Sequence, residues 1–215
     1  MDKIVAAFPK GRLFEQTIDI FFNSGILPEK IQPQSRKLIL ETDKFKFLLV
    51  RAKDVPTYVE YGVADIGVAG DDVLLESEAD VYRPIDLGIG ACNIVVAGLP
   101  ESKKLYESNP TSIRVSTKYP KIAKSFFMEK GIETQIIELY GSIELAPLLG
   151  LSDFIVDIVE TGRTLKENGL IVIDHIRPSS AKLIVNRASY KTKSKKLNSI
   201  FTKIENFLNK KIEVV

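Results

Sequence analysis

The chain has 215 residues, of which 45% are hydrophobic and 27% charged, and its formal net charge is +2. Its length suits one large domain or two lobes of roughly 100 residues each. A charge this close to zero excludes a broadly basic surface for nucleic acid or for an anionic membrane. Any phosphate binding should therefore be local.

A single cysteine and a single histidine exclude several further classes of chemistry. Cys92 cannot form an internal disulfide, and we expect it to be a small packed residue or a thiol that faces a cleft. A Cys/His zinc cluster cannot be built, and a Ser-His-Asp triad would depend wholly on His175, which we expect to be structural and at a strand end. With no secretion-signal pattern or membrane-length apolar run, the protein is predicted to be cytoplasmic.

Strand-like and helical patterns alternate along the first half of the chain. Residues 12–24 carry apolar side chains at helical spacing, and the pattern ends at Gly25. The other predicted elements are strands over 4–8, 45–50 and 66–69, and helices that begin at Asp54 and after Gly70.

The second half repeats the alternation, and residues 99–112 are the longest predicted loop. Strands are predicted over 93–98, 113–117, 134–139 and 154–156, and helices over 122–130, 143–149 and 191–211. The last helix combines a lysine-rich face with an apolar stripe, which favours a solvated face over nucleic-acid binding. The whole pattern predicts an α/β fold with mostly parallel sheet.

Residues 157–165, Asp-Ile-Val-Glu-Thr-Gly-Arg-Thr-Leu, connect the last of these strands to a short helical turn. A Thr-Gly-x-Thr turn in this place directs backbone N–H groups and two hydroxyls at one point, as a phosphate site requires. The carboxylates of Asp157 and Glu160 could accept hydrogen bonds from a vicinal diol. Together they suggest a ribose 5-phosphate site. The alternative is that Thr161 and Thr164 only cap a helix and that the acids favour its N-terminus.

A second candidate site follows the first strand, where Lys10, Gly11 and Arg12 begin a helix. Glycine permits close approach of a ligand, and the two cations suit a polyphosphate. Arg36 and Arg51 each lie beside an apolar run and could converge on the same place. Either arginine could equally be a solvated residue at a strand end.

These motifs belong to a longer series of blocks, at residues 8–13, 35–38, 51–60, 62–73, 117–120, 141–147 and 157–170. In this order they resemble the short form of the ATP phosphoribosyltransferase family. The resemblance implies a two-lobed α/β fold like a type II periplasmic binding protein, with the active site in the interlobe cleft. Lobe I would comprise residues 1–90 plus 177–215 on the nucleotide and pyrophosphate side, and lobe II residues 91–176 on the phosphoribosyl side.

The resemblance also implies the reaction, the first step of histidine biosynthesis. A phosphoribosyl group would pass from 5-phosphoribosyl 1-pyrophosphate to N1 of ATP, giving N1-(5-phosphoribosyl)-ATP and pyrophosphate. Mg²⁺ would be bound with the substrate pyrophosphate, and no protein metal site is expected. The implied residues are Asp157, Glu160, Thr161, Gly162, Arg163 and Thr164 for phosphoribosyl pyrophosphate; Lys10, Gly11, Arg12, Arg36, Arg51 and Asp71 for ATP; and Arg12 and Arg36 for catalysis.

A protein partner follows from the same resemblance, because long members of the family carry a C-terminal histidine-binding domain that is not in this sequence. Short members work with a separate regulatory subunit similar to histidyl-tRNA synthetase, so a hetero-oligomer, an octamer, is expected. We expect the chain alone to be insensitive to histidine. Two rival interpretations are a small-ligand binding protein of the same bilobal shape and a phosphoribosyltransferase for another base.

Overall fold

The polypeptide passes twice between two compact units, at Gly90–Ala91 and again at Ser179–Ser180. Unit 1 comprises Met1–Gly90 and Ser180–Val215, and unit 2 comprises Ala91–Ser179. The computed structural model describes residues 3–31 and 37–212, without the side chains of the last two.

Unit 1 is built around a six-stranded sheet of order β2-β3-β1-β4-β11-β5. Its strands are β1 (Ile4–Pro9), β2 (Ile39–Glu41), β3 (Phe45–Val50), β4 (Ile66–Gly70), β5 (Tyr82–Asp86) and β11 (Ala181–Val185). Its helices are α1 (Arg12–Asn23), α2 (Val55–Glu60), α3 (Asp71–Ser77), α8 (Arg187–Thr192) and α9 (Ser194–Ile212), with a 3₁₀ turn at Ala52–Asp54. Strand β1 pairs in parallel with β3 and β4, whereas β11 is antiparallel to both β4 and β5.

Helices cover both faces of this sheet because successive side chains of a strand point to opposite faces. Phe8 of β1 packs with Phe21 of α1 and Phe47 of β3, at ring-centroid distances of 5.3 and 5.4 Å. Buried residues of α9 belong to the same core. The opposite face carries Ala7 and is covered by α2 and α3.

Gly67 of β4 lets helix α2 lie directly on the sheet. A Cβ at this position would be 2.7 Å from Val59 Cγ2 and 2.8 Å from Val55 Cγ1, both on α2. Since real Cβ atoms essentially never approach so closely, only glycine fits without moving the helix. The helix starts with Pro56 in its first turn, where the missing N–H costs nothing.

The buried carboxylate of Asp65, which is 5% exposed, joins the two chain segments of unit 1. Val5 N–H of β1 donates to its Oδ2 at 2.8 Å, and the Ser189 hydroxyl of α8 donates to its Oδ1 at 2.7 Å. Lys193 Nζ lies 2.9 and 2.8 Å from the two oxygens. The cation compensates the cost of burying the charge, and the hydrogen bonds fix its orientation.

Unit 2 contains a five-stranded sheet of order β10-β6-β9-β7-β8. Its strands are β6 (Cys92–Gly98), β7 (Ser112–Thr117), β8 (Glu133–Glu138), β9 (Phe154–Val159) and β10 (Ile171–Ser179). Its helices are α4 (Ser102–Glu107), α5 (Pro120–Glu129), α6 (Leu145–Leu148) and α7 (Arg163–Glu167). Strand β7 pairs in parallel with β8 and β9, and β6 is antiparallel to both β9 and β10.

Tyr106 of α4 anchors one part of the unit 2 core. Its ring packs edge-on against Phe154 of β9 at 5.6 Å and against Phe127 of α5 at 6.4 Å. Its hydroxyl donates to Asp174 Oδ2 at 2.5 Å, and Lys130 Nζ lies 3.1 Å from the same oxygen. Burial, followed by the hydrogen bond and charge of Asp174, raises the pKa of Tyr106, so the phenol stays a donor.

Several sequence-based expectations were wrong in detail. Both sheets are mixed rather than mostly parallel, because β11 and β6 each run against their neighbours. The predicted loop at 99–112 contains α4, whose apolar residues Leu105 and Tyr106 are adjacent rather than helically spaced. Residues 177–179 lie in unit 2 rather than with lobe I, because they complete β10 and pair with β6 through Ser179.

Within residues 3–31 and 37–212, no helix is both long enough and apolar enough to cross a membrane.

Replacing Asp65 with alanine should destabilise unit 1 by about 3 kcal/mol, because Lys193 would be left without its anion and two buried donors without an acceptor. Urea unfolding followed by circular dichroism measures the loss, and hydrogen exchange at Val5 locates it in β1. Asp19→Asn is the matched control, since its ion pair with Lys30 is half exposed. Equal unfolding midpoints for the two variants would contradict the role of Asp65.

Candidate active site

The carboxyl ends of β1, β3 and β4 meet at one edge of the unit 1 sheet. Pro9 is paired with Val50, and Lys10 N–H donates to the Val50 carbonyl at 3.2 Å. Lys10 and Arg51 therefore follow neighbouring strands, which lie about 4.8 Å apart. The edge is exposed and carries positive charge from both residues and from Arg12.

Gly11 begins α1 in a conformation that other residues avoid. Its φ of 84° and ψ of −151° lie in a region that is essentially restricted to glycine. Its carbonyl accepts from Phe14 N–H at 2.9 Å, so the strained residue is also the helix N-cap. Gly11 and Arg12, at the start of this twelve-residue helix, are exposed, and a helix N-terminus of this kind suits an anion.

Asp71 of the predicted nucleotide site is held by the protein itself. Asp71 is the first residue of α3 and is only 9% exposed. Its Oδ1 lies 3.5 Å from the Arg83 guanidinium of β5. This ion pair links α3 to β5, so it suits a structural role of Asp71 as well as a role in ligand binding. Arg36, the other predicted catalytic arginine, lies outside the described residues.

The carboxyl ends of β7 and β9 form the corresponding edge of unit 2. Strand β9 continues to Val159, three residues beyond the predicted end, so Asp157 lies within the strand and is paired with Val95. Glu160 follows the strand and is exposed. The two acids are therefore not in one turn, as predicted, but in a strand and in the loop after it.

The loop after β9 turns at Gly162, whose φ of 73° is left-handed. Gly162 itself is the N-cap of α7, so neither Thr161 nor Thr164 occupies the capping position. Both threonines are exposed. The simple capping interpretation of these residues is thus wrong.

Arg163 uses its guanidinium within its own helix. Its Nε donates to Glu167 Oε1 at 2.7 Å, and the side chain is 82% exposed. Arg163 therefore begins α7, and its charge is paired with Glu167 of the same helix.

Lys118 is a charged residue of this edge that the sequence interpretation did not assign. It follows β7, and its Nζ lies 3.1 Å from Asp157 Oδ1. The same ammonium lies 5.2 Å from the centre of the Tyr119 ring. Residues 117–120 resemble a block of the family, but the β7–β9 pairing that brings Lys118 to Asp157 is not visible in the sequence.

At the opposite end of the two strands, Arg114 of β7 donates to both carboxylate oxygens of Asp153 and so supports the register between β7 and β9. Arg114 N–H donates to Asp153 Oδ2 at 2.7 Å, and its guanidinium donates to Oδ1 at 2.8 Å. Burial raises the pKa of Asp153, but the hydrogen bonds and charge of Arg114 outweigh this and lower the pKa below its usual value.

His175 lies within β10 and is exposed, rather than at a strand end as expected. Cys92 begins β6, is half-buried and forms no disulfide. In the described part of the chain, no three His, Cys, Asp or Glu side chains are grouped so that they could hold a metal ion.

The sequence model of the family HisG: ATP phosphoribosyltransferase matches residues 51–206, which include the edge of unit 2 and, in unit 1, Arg51 and Asp71. The chain belongs to the ATP phosphoribosyltransferase family. An ATP phosphoribosyltransferase of Caldanaerobacter subterraneus subsp. tengcongensis is 52% identical over 211 residues, 97% of this chain and 99% of that protein. One from Aquifex aeolicus is 53% identical over 201 residues, 94% and 93% of the two chains.

Solved structures support the same assignment. A chain of the ATP phosphoribosyl transferase (HisG:HisZ) complex from Thermotoga maritima has a TM-score of 0.80 and 38% identity, covering 96% of this chain and 98% of its own. The periplasmic aliphatic sulphonate binding protein SsuA from Escherichia coli has a TM-score of 0.60 at 12% identity, covering 96% and 72%. The second likeness is one of fold alone.

These comparisons confirm the main predictions. The α/β fold of the periplasmic-binding-protein type is confirmed by both structural likenesses. The family, the pentosyltransferase class and the activity of ATP phosphoribosyltransferase in histidine biosynthesis are confirmed by the family match. The solute-binding and other-base alternatives are therefore wrong.

Replacing Asp153 with asparagine should cost about 2 kcal/mol at neutral pH, since charge-assisted hydrogen bonds of Arg114 are weakened. The folded carboxyl has the lowered pKa, so its contribution is fully present above the unfolded value of about 3.9 and is lost as the pH falls further. Urea unfolding at pH 7 to 3 should show the variant and the parent converging below about pH 4.

Glu107→Gln is the control in unit 2, because its contact with Lys103 is exposed and 3.8 Å long. A stability difference at Asp153 that stayed constant down to pH 3 would exclude the ion pair as its source.

Proposed function

We propose that the two strand edges divide the substrates of the phosphoribosyl transfer between them. The edge of unit 2 at Asp157 and residues 160–164 binds the ribose 5-phosphate part of phosphoribosyl pyrophosphate. The edge of unit 1 at Lys10, Gly11 and Arg12 binds the phosphates of pyrophosphate and ATP. Placement of the reaction in the cleft between lobes stays a prediction.

The loop from Glu160 to Thr164 is the observation that carries this proposal. It has a left-handed Gly162, and its two exposed threonines do not cap the helix. Hydroxyls and backbone N–H groups at such a turn suit a phosphate monoester. The carboxylate of Asp157, 17% exposed, lies beside it on β9 and can accept from a ribose hydroxyl.

The transfer requires positioning and charge stabilisation rather than an activated nucleophile. N1 of adenine carries a lone pair and attacks C1′ of the ribose, while the bond from C1′ to the pyrophosphate oxygen breaks. Positive charge develops on the sugar and negative charge on the departing pyrophosphate. Cations that are already in place stabilise that leaving group.

Arg12 is proposed to contact the departing pyrophosphate, because arginine can donate two parallel hydrogen bonds to phosphate oxygens. Arg36 is proposed for the same role from its position in the family blocks alone. Lys10 and Arg51 are proposed for the ATP phosphates, and Asp71 is a weaker proposal because Arg83 already neutralises it.

Mg²⁺ is proposed to enter as a complex with the substrate pyrophosphate. Magnesium usually keeps several waters and binds through one or two carboxylates together with substrate phosphates. The ion would withdraw charge from the leaving pyrophosphate, and the residues of the chain would orient it.

A regulatory subunit is proposed as the partner, since the related Thermotoga chain forms a HisG:HisZ complex. We propose a histidyl-tRNA-synthetase-like subunit, assembly as a hetero-octamer and a cytoplasmic location. Histidine would then act by coupling between two proteins.

The purified chain should release pyrophosphate from phosphoribosyl pyrophosphate when ATP is present and not when adenine, guanine or orotate replaces ATP. The assay is run with and without the synthetase-like subunit, because activity in the complex alone would still support the function. Release with another base and not with ATP under both conditions would overturn the assignment.

Two variants should separate binding from catalysis. Thr164→Val should raise KM for phosphoribosyl pyrophosphate about tenfold, whereas Arg12→Ala should lower kcat more than it raises KM, because its contacts strengthen in the transition state. Steady-state kinetics with both substrates varied measures the two effects. A pure KM effect of Arg12→Ala would make Arg12 a ground-state binding residue instead.

A further inference from the structure

Lys118 and Asp157 form an ion pair at the proposed phosphoribosyl edge of unit 2. The ammonium lies 3.1 Å from Asp157 Oδ1, and the side chains are 36% and 17% exposed. Oδ1 is buried and makes no hydrogen bond of good geometry. The contact is therefore mainly electrostatic, and Lys118 is the charge that compensates this oxygen.

The turn that carries Lys118 is held in place by its buried neighbour Thr117. The Thr117 hydroxyl donates to the Val156 carbonyl of β9 at 2.7 Å and accepts from Tyr119 N–H at 2.9 Å. Thr117 is paired with Val156, the residue before Asp157. The backbone therefore fixes Lys118 beside Asp157 before any substrate binds.

An ion pair of this kind orients a carboxylate and leaves it able to accept a hydrogen bond. The ammonium attracts Oδ1, while Oδ2 retains its capacity to accept from a hydroxyl. Such pre-orientation lowers the cost of binding, since fewer rotamers are lost when the ligand arrives. The Lys118 side chain is further restrained by its contact with the Tyr119 ring.

We propose that Lys118 is a positioning residue for phosphoribosyl pyrophosphate, which it serves by orienting the Asp157 carboxylate toward a ribose hydroxyl. The inference rests on the proposed function of this edge. It assigns Lys118 an effect on the binding of one substrate, phosphoribosyl pyrophosphate, and none on the binding of ATP.

Lys118→Met should raise KM for phosphoribosyl pyrophosphate about tenfold, with kcat lowered less than about threefold and KM for ATP unchanged. Lys118→Arg should restore most of the affinity, because it keeps the cation. The double variant of Lys118→Met with Asp157→Asn should be no worse than Asp157→Asn alone, since both act through one contact. Lys124→Met, an exposed lysine on α5, is the matched control and should behave as the parent.

Three results would overturn the inference. The first is an unchanged KM for phosphoribosyl pyrophosphate in Lys118→Met. The second is a double variant in which the KM effects of Lys118→Met and Asp157→Asn multiply, because this would indicate that Lys118 contacts the substrate directly. An equal loss of affinity for both substrates with a lowered Tm would indicate a purely structural ion pair; Lys118→Gln provides a second neutral variant for that comparison. Failure of the parent enzyme to release pyrophosphate would instead overturn the proposed function.

Discussion

The burial of one carboxylate, that of Asp65, decides how unit 1 can be assembled. Its partners come from positions 60, 124 and 128 residues away, so the charge is compensated only after the chain has passed through unit 2 and returned. Strand β11 also returns late and separates β4 from β5 in the sheet. Because an uncompensated buried charge is costly, the first 90 residues are expected to close their core only together with the C-terminal segment. The predicted phosphate-binding edge therefore depends on residues that contribute nothing to it chemically.

The same edges of the two sheets carry the proposed chemistry for a geometric reason. The loops that follow parallel strands all emerge at one edge, so residues far apart in sequence become neighbours there. Gly11 in unit 1 and Gly162 in unit 2 both have a positive φ, and each turns the chain from strand to helix at the edge of its own sheet. A helix N-terminus at such a place favours an anion. The proposed site thus uses what the topology already provides, and the side chains add charge and specificity.

Local signals made much of the fold predictable, and long-range pairing accounts for what was missed. Helix α1 and strand β3 were predicted almost to the residue, because the apolar spacing of α1 and the apolar run of β3, which only Lys46 interrupts, are each complete within their own segments. Strand β2 has three residues and an edge position, so its sequence carries little signal. The phosphate role of residues 157–165 stays a prediction, and the length of β9 was missed because it depends on pairing with β6. Lys118 could not be assigned from sequence, because its partner is 39 positions away and is reached only through the β7–β9 register.

The charge balance of the proposed phosphoribosyl edge gives a physical reason for such a cation there. Asp157 and Glu160 suit ribose hydroxyls, but two carboxylates beside a 5-phosphate and a pyrophosphate would repel the substrate that they orient. Arg163 is engaged by Glu167 and so offsets little of this repulsion. Lys118 contacts the Asp157 carboxylate directly, so its charge offsets the repulsion at the nearest point. The other carboxylate oxygen can still accept a hydrogen bond. Unit 1 has the opposite requirement, since its edge is proposed to stabilise charge on a leaving group. There the cations Lys10 and Arg12 lie in an exposed turn at a helix N-terminus. Phosphate groups are thus proposed to be bound by two different charge arrangements, paired charges in unit 2 and cations alone in unit 1. Each arrangement suits the charge that the reaction develops at that edge.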